Sequence, residues 1–170
     1  MFETGRLRIR HFVDDDLDDF AALCADPAVM RFVGDGTTLD RADVARWIRI
    51  CQEKYATRGY GTSAVMERET GAFVGYCGVV RPPDQDFDEL IYVLHRRSWG
   101  KGYATEVGRA MLAHVFDVST LSSISATIDP HKDQSKRVTA RIGMVQAPCS
   151  DDSMSYWVIG RPTGRLSSAP

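Results

Sequence analysis

Between Arg97 and Ala110 the chain reads RSWGKGYATEVGRA, and this stretch limits the possible folds more tightly than any other. An apolar run, Leu90 to Leu94, leads into it, and Tyr103, Val107, Met111 and Val115 follow at helical spacing. The segment therefore joins a strand to a helix through a turn bearing Gly100 and Gly102, which can take backbone angles closed to other residues. A helix begins with several amide N–H groups unpaired, and its dipole favours negative charge there. Arg97 and Lys101 add positive charge to the same turn. Together these features predict a cradle for phosphate.

Two familiar phosphate motifs do not fit. A P-loop places Ser or Thr directly after its Gly-Lys, whereas Lys101 is followed by Gly102. A dinucleotide fingerprint needs a third glycine or alanine where this chain has Thr105.

With 170 residues, 44% of them hydrophobic, the chain suits one domain with a substantial core, expected over residues 1–160. A net charge of −2 supplies no global field for nucleic acid. Cys24, Cys51, Cys77 and Cys149 form no C-x-x-C pair and read as small buried hydrophobes of a reducing compartment. His11, His95, His114 and His131 are equally scattered, so no metal site is expected. MFETGRLRIR does not read as a signal peptide, and no apolar run approaches the ~20 residues that span a bilayer. The expectation is a soluble, cytoplasmic protein that binds neither membrane nor nucleic acid directly.

Periodicity predicts mixed α and β structure without repeats. Arg6–Arg10 alternates charge and apolar side chains as a strand does; helices are expected over Asp14–Cys24, from Asp26-Pro27 to near Gly34, and over Asp40–Thr57. Strands follow at Thr62–Arg68, Ala72–Val80 and Glu89–Leu94, with a turn closed by Gly71 between the first two. After the glycine turn and its helix come a strand at Ile124–Ile128, a helix at Asp133–Arg141 and a strand at Met154–Ile159. Arg161–Pro170 reads as a disordered tail. The acidic run Asp14–Asp19 suits a helix start and a solvated face, with attraction of a cationic ligand as the competing role. Trp47 and Tyr55 read as core.

In this order, four segments resemble the GCN5-related N-acetyltransferase (GNAT) superfamily, in its ribosomal-protein N-terminal acetyltransferase-like branch. They are Thr4–Arg10 with Asp26–Met30, Arg68–Gly71 leading into Phe73–Gly78, Trp99–Glu106, and Ser135–Val138 running to Ile142-Gly143-Met144. The resemblance covers nearly the whole chain. It implies an α/β fold with a central twisted, mostly antiparallel sheet, helices on both faces, and a V-shaped splay between the strands on either side of the glycine turn. It also implies acetyl-coenzyme A as acetyl donor and an amine as acceptor, in a monomer or homodimer.

Residue by residue, the resemblance assigns the backbone of Tyr92, Val93 and Leu94 to the pantetheine arm. Arg97, Gly100, Lys101, Gly102, Tyr103, Ala104 and Thr105 fall to the pyrophosphate. A solvated surface role is the alternative for Arg97 and Lys101, and Trp99 is read as packing under the turn. Glu89 matches a glutamate of the branch and is the candidate base, with a surface strand-end carboxylate as its alternative. Ser135 matches a serine near the cofactor sulfur and is the candidate acid, with helix capping as its alternative. Lys132 stands where the branch has Asn, so it is a candidate phosphate contact instead. Thr139 replaces the tyrosine acid of many relatives, which leaves Ser135, Tyr156 or water as proton donor. No cysteine has a neighbouring motif that marks an activated thiolate, so direct transfer is expected. The acceptor is expected to be a protein N-terminus; a polyamine, amino acid or aminoglycoside is the alternative, and a non-catalytic coenzyme A-binding module a third.

Overall fold

Leu7 and Ile9 are buried while Arg8 is exposed, the alternation that marks a strand with one face on the core. The computed structural model describes residues 1–83, 85–148 and 153–162. Its strands are β1 (Phe2–Glu3), β2 (Leu7–Arg10), β3 (Thr62–Glu67), β4 (Phe73–Val80), β5 (Glu89–Leu94), β6 (Ser123–Ile128), β7 (Val145–Gln146) and β8 (Ser155–Gly160). Its helices are α1 (Leu17–Cys24), α2 (Pro27–Met30), α3 (Arg41–Arg58), α4 (Tyr103–Val118) and α5 (Asp133–Arg141). The strands form one sheet in the order β1-β2-β3-β4-β5-β6-β8-β7, antiparallel except where β5 meets β6.

Caps set the helix starts. Asp26 accepts the amide of Ala28 ahead of α2, and Asp40 that of Asp43 ahead of α3. The second helix stops at Met30, earlier than the expected Gly34, and the chain continues to α3 through turns. Asp14–Asp16 forms a 3-10 turn before α1.

Each sheet face has its own core. Phe20, Leu23, Val44 and Ile48 of α1 and α3 pack with Tyr76 and Val93 on one face. Val107, Met111 and Val115 of α4 pack with Leu7, Val65, Cys77, Leu90 and Leu94 on the other, joined by Ile142 after α5. The acidic run departs from a solvated face at Asp16, which is buried and paired with Arg10 at 2.6 and 2.7 Å. Burial of an aspartate requires such a partner, and Arg10 on β2 supplies it. Arg161, counted with the tail on sequence, is anchored: its Nε and Nη2 donate to the carbonyls of Leu121 and Ser119 at 2.9 and 2.7 Å. Residues 163–170 of that expected tail lie outside the described residues.

Candidate active site

The sheet comes apart between β5 and β6. The two strands pair at Glu89 and Ser125, where the Ser125 amide donates to the Asp88 carbonyl at 2.8 Å. A continued parallel ladder would next join the Thr127 amide to the Leu90 carbonyl. Instead that amide donates to Oε1 of Glu89 at 2.6 Å. The side chain thus takes the place of a rung, and the strands diverge from there toward the glycine turn.

Strand alternation decides which main-chain groups face the gap. His95 donates to the Val74 carbonyl, and Val93 lies opposite Tyr76, so the odd-numbered residues of β5 turn their peptide groups to β4. Those of Leu90, Tyr92 and Leu94 turn to the gap. Of the three expected backbone contacts, Tyr92 and Leu94 line the opening. Val93 does not, because β4 takes its main chain and the α1–α3 core takes its side chain.

Side chains alternate as well. Glu89 shares the α1–α3 face with Ile91 and Val93, while Tyr92 shares the α4–α5 face with Leu90 and Leu94. Burial raises the Glu89 carboxyl above the usual carboxylate range, with the Thr127 hydrogen bond opposing it. It is therefore no solvated strand-end acid. Burial also pushes the Tyr92 phenol up to about 12, with the neighbouring Ser135 side chain pulling the other way. That phenol oxygen is buried and makes no hydrogen bond of standard geometry. Ser135 is buried in the first turn of α5, and Lys132, at the N-cap of that helix, makes no side-chain capping hydrogen bond. Tyr92 and Ser135 bring two hydroxyls together on one side of the splay, while Glu89 sits at its vertex.

The glycine turn leads directly into α4. Gly100 and Gly102 have φ of 73° and 80°, in the left-handed region. The first α4 hydrogen bond runs from the Glu106 amide to the Gly102 carbonyl at 3.1 Å. The amides of Tyr103, Ala104 and Thr105 ahead of it have no partner four residues back. Lys101 is exposed beside them. Arg97 is less free than expected, since its Nη2 donates to the Phe73 carbonyl at 3.0 Å. Trp99 is not packed under the turn: it is 45% exposed, with its indole N–H tied to the Leu94 carbonyl at 2.8 Å. The Tyr103 side chain is buried with its hydroxyl donating to Glu67, which leaves its main-chain amide as the group available at the turn.

Sequence reasoning missed Arg6. Its Nη1 donates to the Lys101 carbonyl at 2.9 Å, its guanidinium pairs with Glu106 at 2.6 Å, and it lies 4.6 Å from the Tyr103 ring centroid. A residue on the loop before β2 thus braces the turn. Spacing carried no signal for it, because the partners lie about a hundred positions away. Asp88 was missed too: it is buried, accepts from Arg81 and Tyr60, and fastens the loop leading into β5.

Lys132 reaches the α1–α3 side, with Nζ 4.9 Å from the Phe32 ring centroid. Met30, Val33, Leu39 and Trp47 help to line a cavity of about 160 Å³. Cys24, Cys51 and Cys77 are buried, and burial pushes their thiols up, to about 12 for Cys24 and about 11 for Cys51. Cys149 lies outside the described residues. Among the described residues no three His, Cys, Asp or Glu gather to hold a metal ion, and no helix is long and apolar enough to cross a membrane.

Free amides at a helix start suit a diphosphate, and an open strand edge suits an extended arm that carries amides. Coenzyme A has both parts, and Arg97 through Thr105, with Tyr92 and Leu94, are the residues that would hold it. Residues 6–145 match the family model described as the acetyltransferase (GNAT) domain. An uncharacterised Bacillus subtilis protein, YkkB, is 35% identical over 146 residues, 83% of each chain. Among solved structures, a ribosomal-protein-S5-alanine acetyltransferase from Vibrio fischeri superposes with a TM-score of 0.78 at 14% identity, covering 95% of this chain and 97% of that one. A spermidine N-acetyltransferase from Vibrio cholerae, in complex with coenzyme A and spermine, gives 0.74 at 12% identity, covering 93% and 97%. With its unfinished β5–β6 ladder and braced glycine turn, the chain belongs to the GNAT acetyltransferase family and is an acyl-coenzyme A N-acyltransferase whose donor is acetyl-coenzyme A.

Proposed function

We propose that the protein passes the acetyl group directly to a primary amine bound on the α1–α3 side of the splay, and that this amine is the N-terminal α-amine of a protein. The observation that carries this reading is Glu89: a half-buried carboxylate at the vertex, on the acceptor side, raised above its ordinary range with one oxygen held by Thr127. A carboxylate so placed is a modest base. An α-amine of pKa ~8 is roughly a tenth neutral at pH 7, whereas a lysine amine of pKa ~10.4 is under ~0.1% neutral. A modest base therefore suits an α-amine.

The bound thioester is already activated, so the protein has to orient it, accept a proton and supply one to the departing sulfur. Tyr92 and the amide of Leu94 offer main-chain groups along the gap, and the α4 amides with Lys101 hold the phosphate end. Glu89 takes the amine proton, directly or through one water. Ser135, with Tyr92 beside it, supplies the proton at the sulfur. The buried thiols, with their raised pKa values, make poor nucleophiles and support transfer without an acyl-enzyme step.

A small-molecule amine is the second reading, supported by the shared fold of the spermidine enzyme and by the cavity lined by Met30, Val33, Leu39 and Trp47. Thiol release from acetyl-coenzyme A, measured with a panel of short peptides and small amines, separates the two. Turnover confined to peptides with free N-termini is expected. Turnover confined to polyamines would overturn the preferred acceptor, and a melting shift without turnover on any amine would indicate a binding module.

A further inference from the structure

Two cations converge on one aromatic ring at the mouth of the splay. Phe32 lies between α2 and α3, with the Arg31 guanidinium 4.4 Å and the Lys132 ammonium 4.9 Å from its ring centroid. Both lie within cation–π range. Lys132 stands three residues ahead of Ser135 and follows the loop from the open end of β6. The contact therefore links the acceptor-side helices to α5 beside the hydroxyl pair.

Among the described residues neither cation has an anionic partner in contact. Nearby carboxylates are engaged in their own turns. Asp35 accepts from the amide and hydroxyl of Thr37 at 3.0 and 2.7 Å, Asp129 from the His131 amide at 2.7 Å, and Asp26 from the Ala28 amide at 2.9 Å. Asp129 favours the charged form of Lys132 from a distance, but loss of water outweighs it and lowers the lysine pKa. A half-dehydrated ammonium backed by a π face gains from an arriving carboxylate and resists an arriving cation.

We propose that Arg31 and Lys132 receive a carboxylate of the acceptor, so that the enzyme prefers amines with a negative charge close to the nitrogen. The ligand chemistry is an α-amine with a neighbouring carboxylate, carried by a free amino acid or by a peptide with Asp or Glu next to its first residue. Polycationic amines are disfavoured by the same two charges. This rests on the acetyl-transfer reading of the site.

The test uses saturating acetyl-coenzyme A and acceptors matched except for charge: alanine against alaninamide, C-terminally amidated Ser-Glu-Ala-Ala against its Gln and Lys counterparts, and spermidine. The acidic member of a pair is expected to have a kcat/KM about three- to tenfold above its neutral counterpart, an advantage that shrinks as salt is raised. Combining Arg31→Glu with Lys132→Glu should invert the peptide order toward the Lys member, while Lys132→Arg keeps the original order. A gain for alanine alone assigns the carboxylate to a free amino acid, and a gain for the Glu peptide alone assigns it to a protein N-terminus. Equal rates across the series, a salt-independent order, or an order unchanged by charge reversal overturns the inference. The salt response of the unaltered enzyme decides the matter if the double variant does not fold. No thiol release with any amine, despite a melting shift with acetyl-coenzyme A, overturns the transfer reading and this inference with it.

Discussion

Arg6 and Glu106 meet at 2.6 Å, a hundred positions apart, and the same guanidinium donates to the Lys101 carbonyl inside the glycine turn. The contact ties the loop before β2 to the first turn of α4. Replacing Arg6 by Met should loosen the turn without touching the reacting atoms. A lost hydrogen bond to a charged group is worth about 1.5–3 kcal/mol, so the KM for acetyl-coenzyme A should rise about tenfold with kcat nearly unchanged. Steady-state kinetics at saturating acceptor checks this; a fall in kcat alone would contradict it.

Gly102 has φ of 80° and precedes the free amides of α4, and a Cβ there would come within 3.5 Å of the Arg6 guanidinium. Acetyl-coenzyme A at a hundred times its Kd should stabilise the parent protein by about 2.7 kcal/mol. With Gly102→Val that gain should largely disappear. Melting curves with and without the ligand give both values, and an undiminished shift would remove Gly102 from the cradle.

Changing Glu89 to Gln keeps an oxygen that can accept the Thr127 amide hydrogen and removes the ability to take a proton. We expect kcat to fall by about 10²–10⁴ with little change in acetyl-coenzyme A affinity. Single-turnover assays and ligand titration separate those effects.

The pH dependence follows from the raised carboxyl of Glu89. A base must be ionised, so kcat/KM should fall as pH drops through a value above the ordinary carboxylate range, and Glu89→Gln should abolish that limb. Stability carries the same signature. Because the folded-state pKa is raised, ionised Glu89 opposes folding above that pKa, and the penalty is lost below the ordinary value. The Gln variant should therefore match or exceed the parent in Tm at neutral pH, and its advantage should vanish in acid.

Asp16 tests the acidic run. It is 5% exposed, holds Arg10 through two hydrogen bonds and accepts the Val13 amide at 2.9 Å. Asp16→Ala leaves Arg10 partly buried without its counter-charge and should cost about 3 kcal/mol in urea unfolding. Activity per folded molecule should persist, which would exclude this carboxylate as a receptor for cationic acceptors.

Local regularity was legible in the sequence. β5 and α5 occupy the expected spans Glu89–Leu94 and Asp133–Arg141, because an apolar run bounded by polar residues and a Ser-to-Arg helical stretch each carry their own period. The two-residue strands Phe2–Glu3 and Val145–Gln146 are too short to show any period and depend on their neighbours for pairing. Within the site, the glycine turn could be read because backbone angle and helix dipole are local properties. The Arg97 tie to Phe73, the Glu89 tie to Thr127 and the Lys132 contact with Phe32 join residues 24, 38 and 100 positions apart. Residue spacing holds no trace of such closures; only the folded sheet brings their ends together.

An incomplete ladder also affects how such a protein can diverge. The groups of Tyr92 and Leu94 that border the gap are peptide groups, which every residue except proline carries in full. Mutation can therefore alter the flanking side chains while the open main-chain edge persists. Chains sharing only 12–14% of their residues with this one still superpose along nearly their whole length. The fold that opens this edge tolerates that degree of drift.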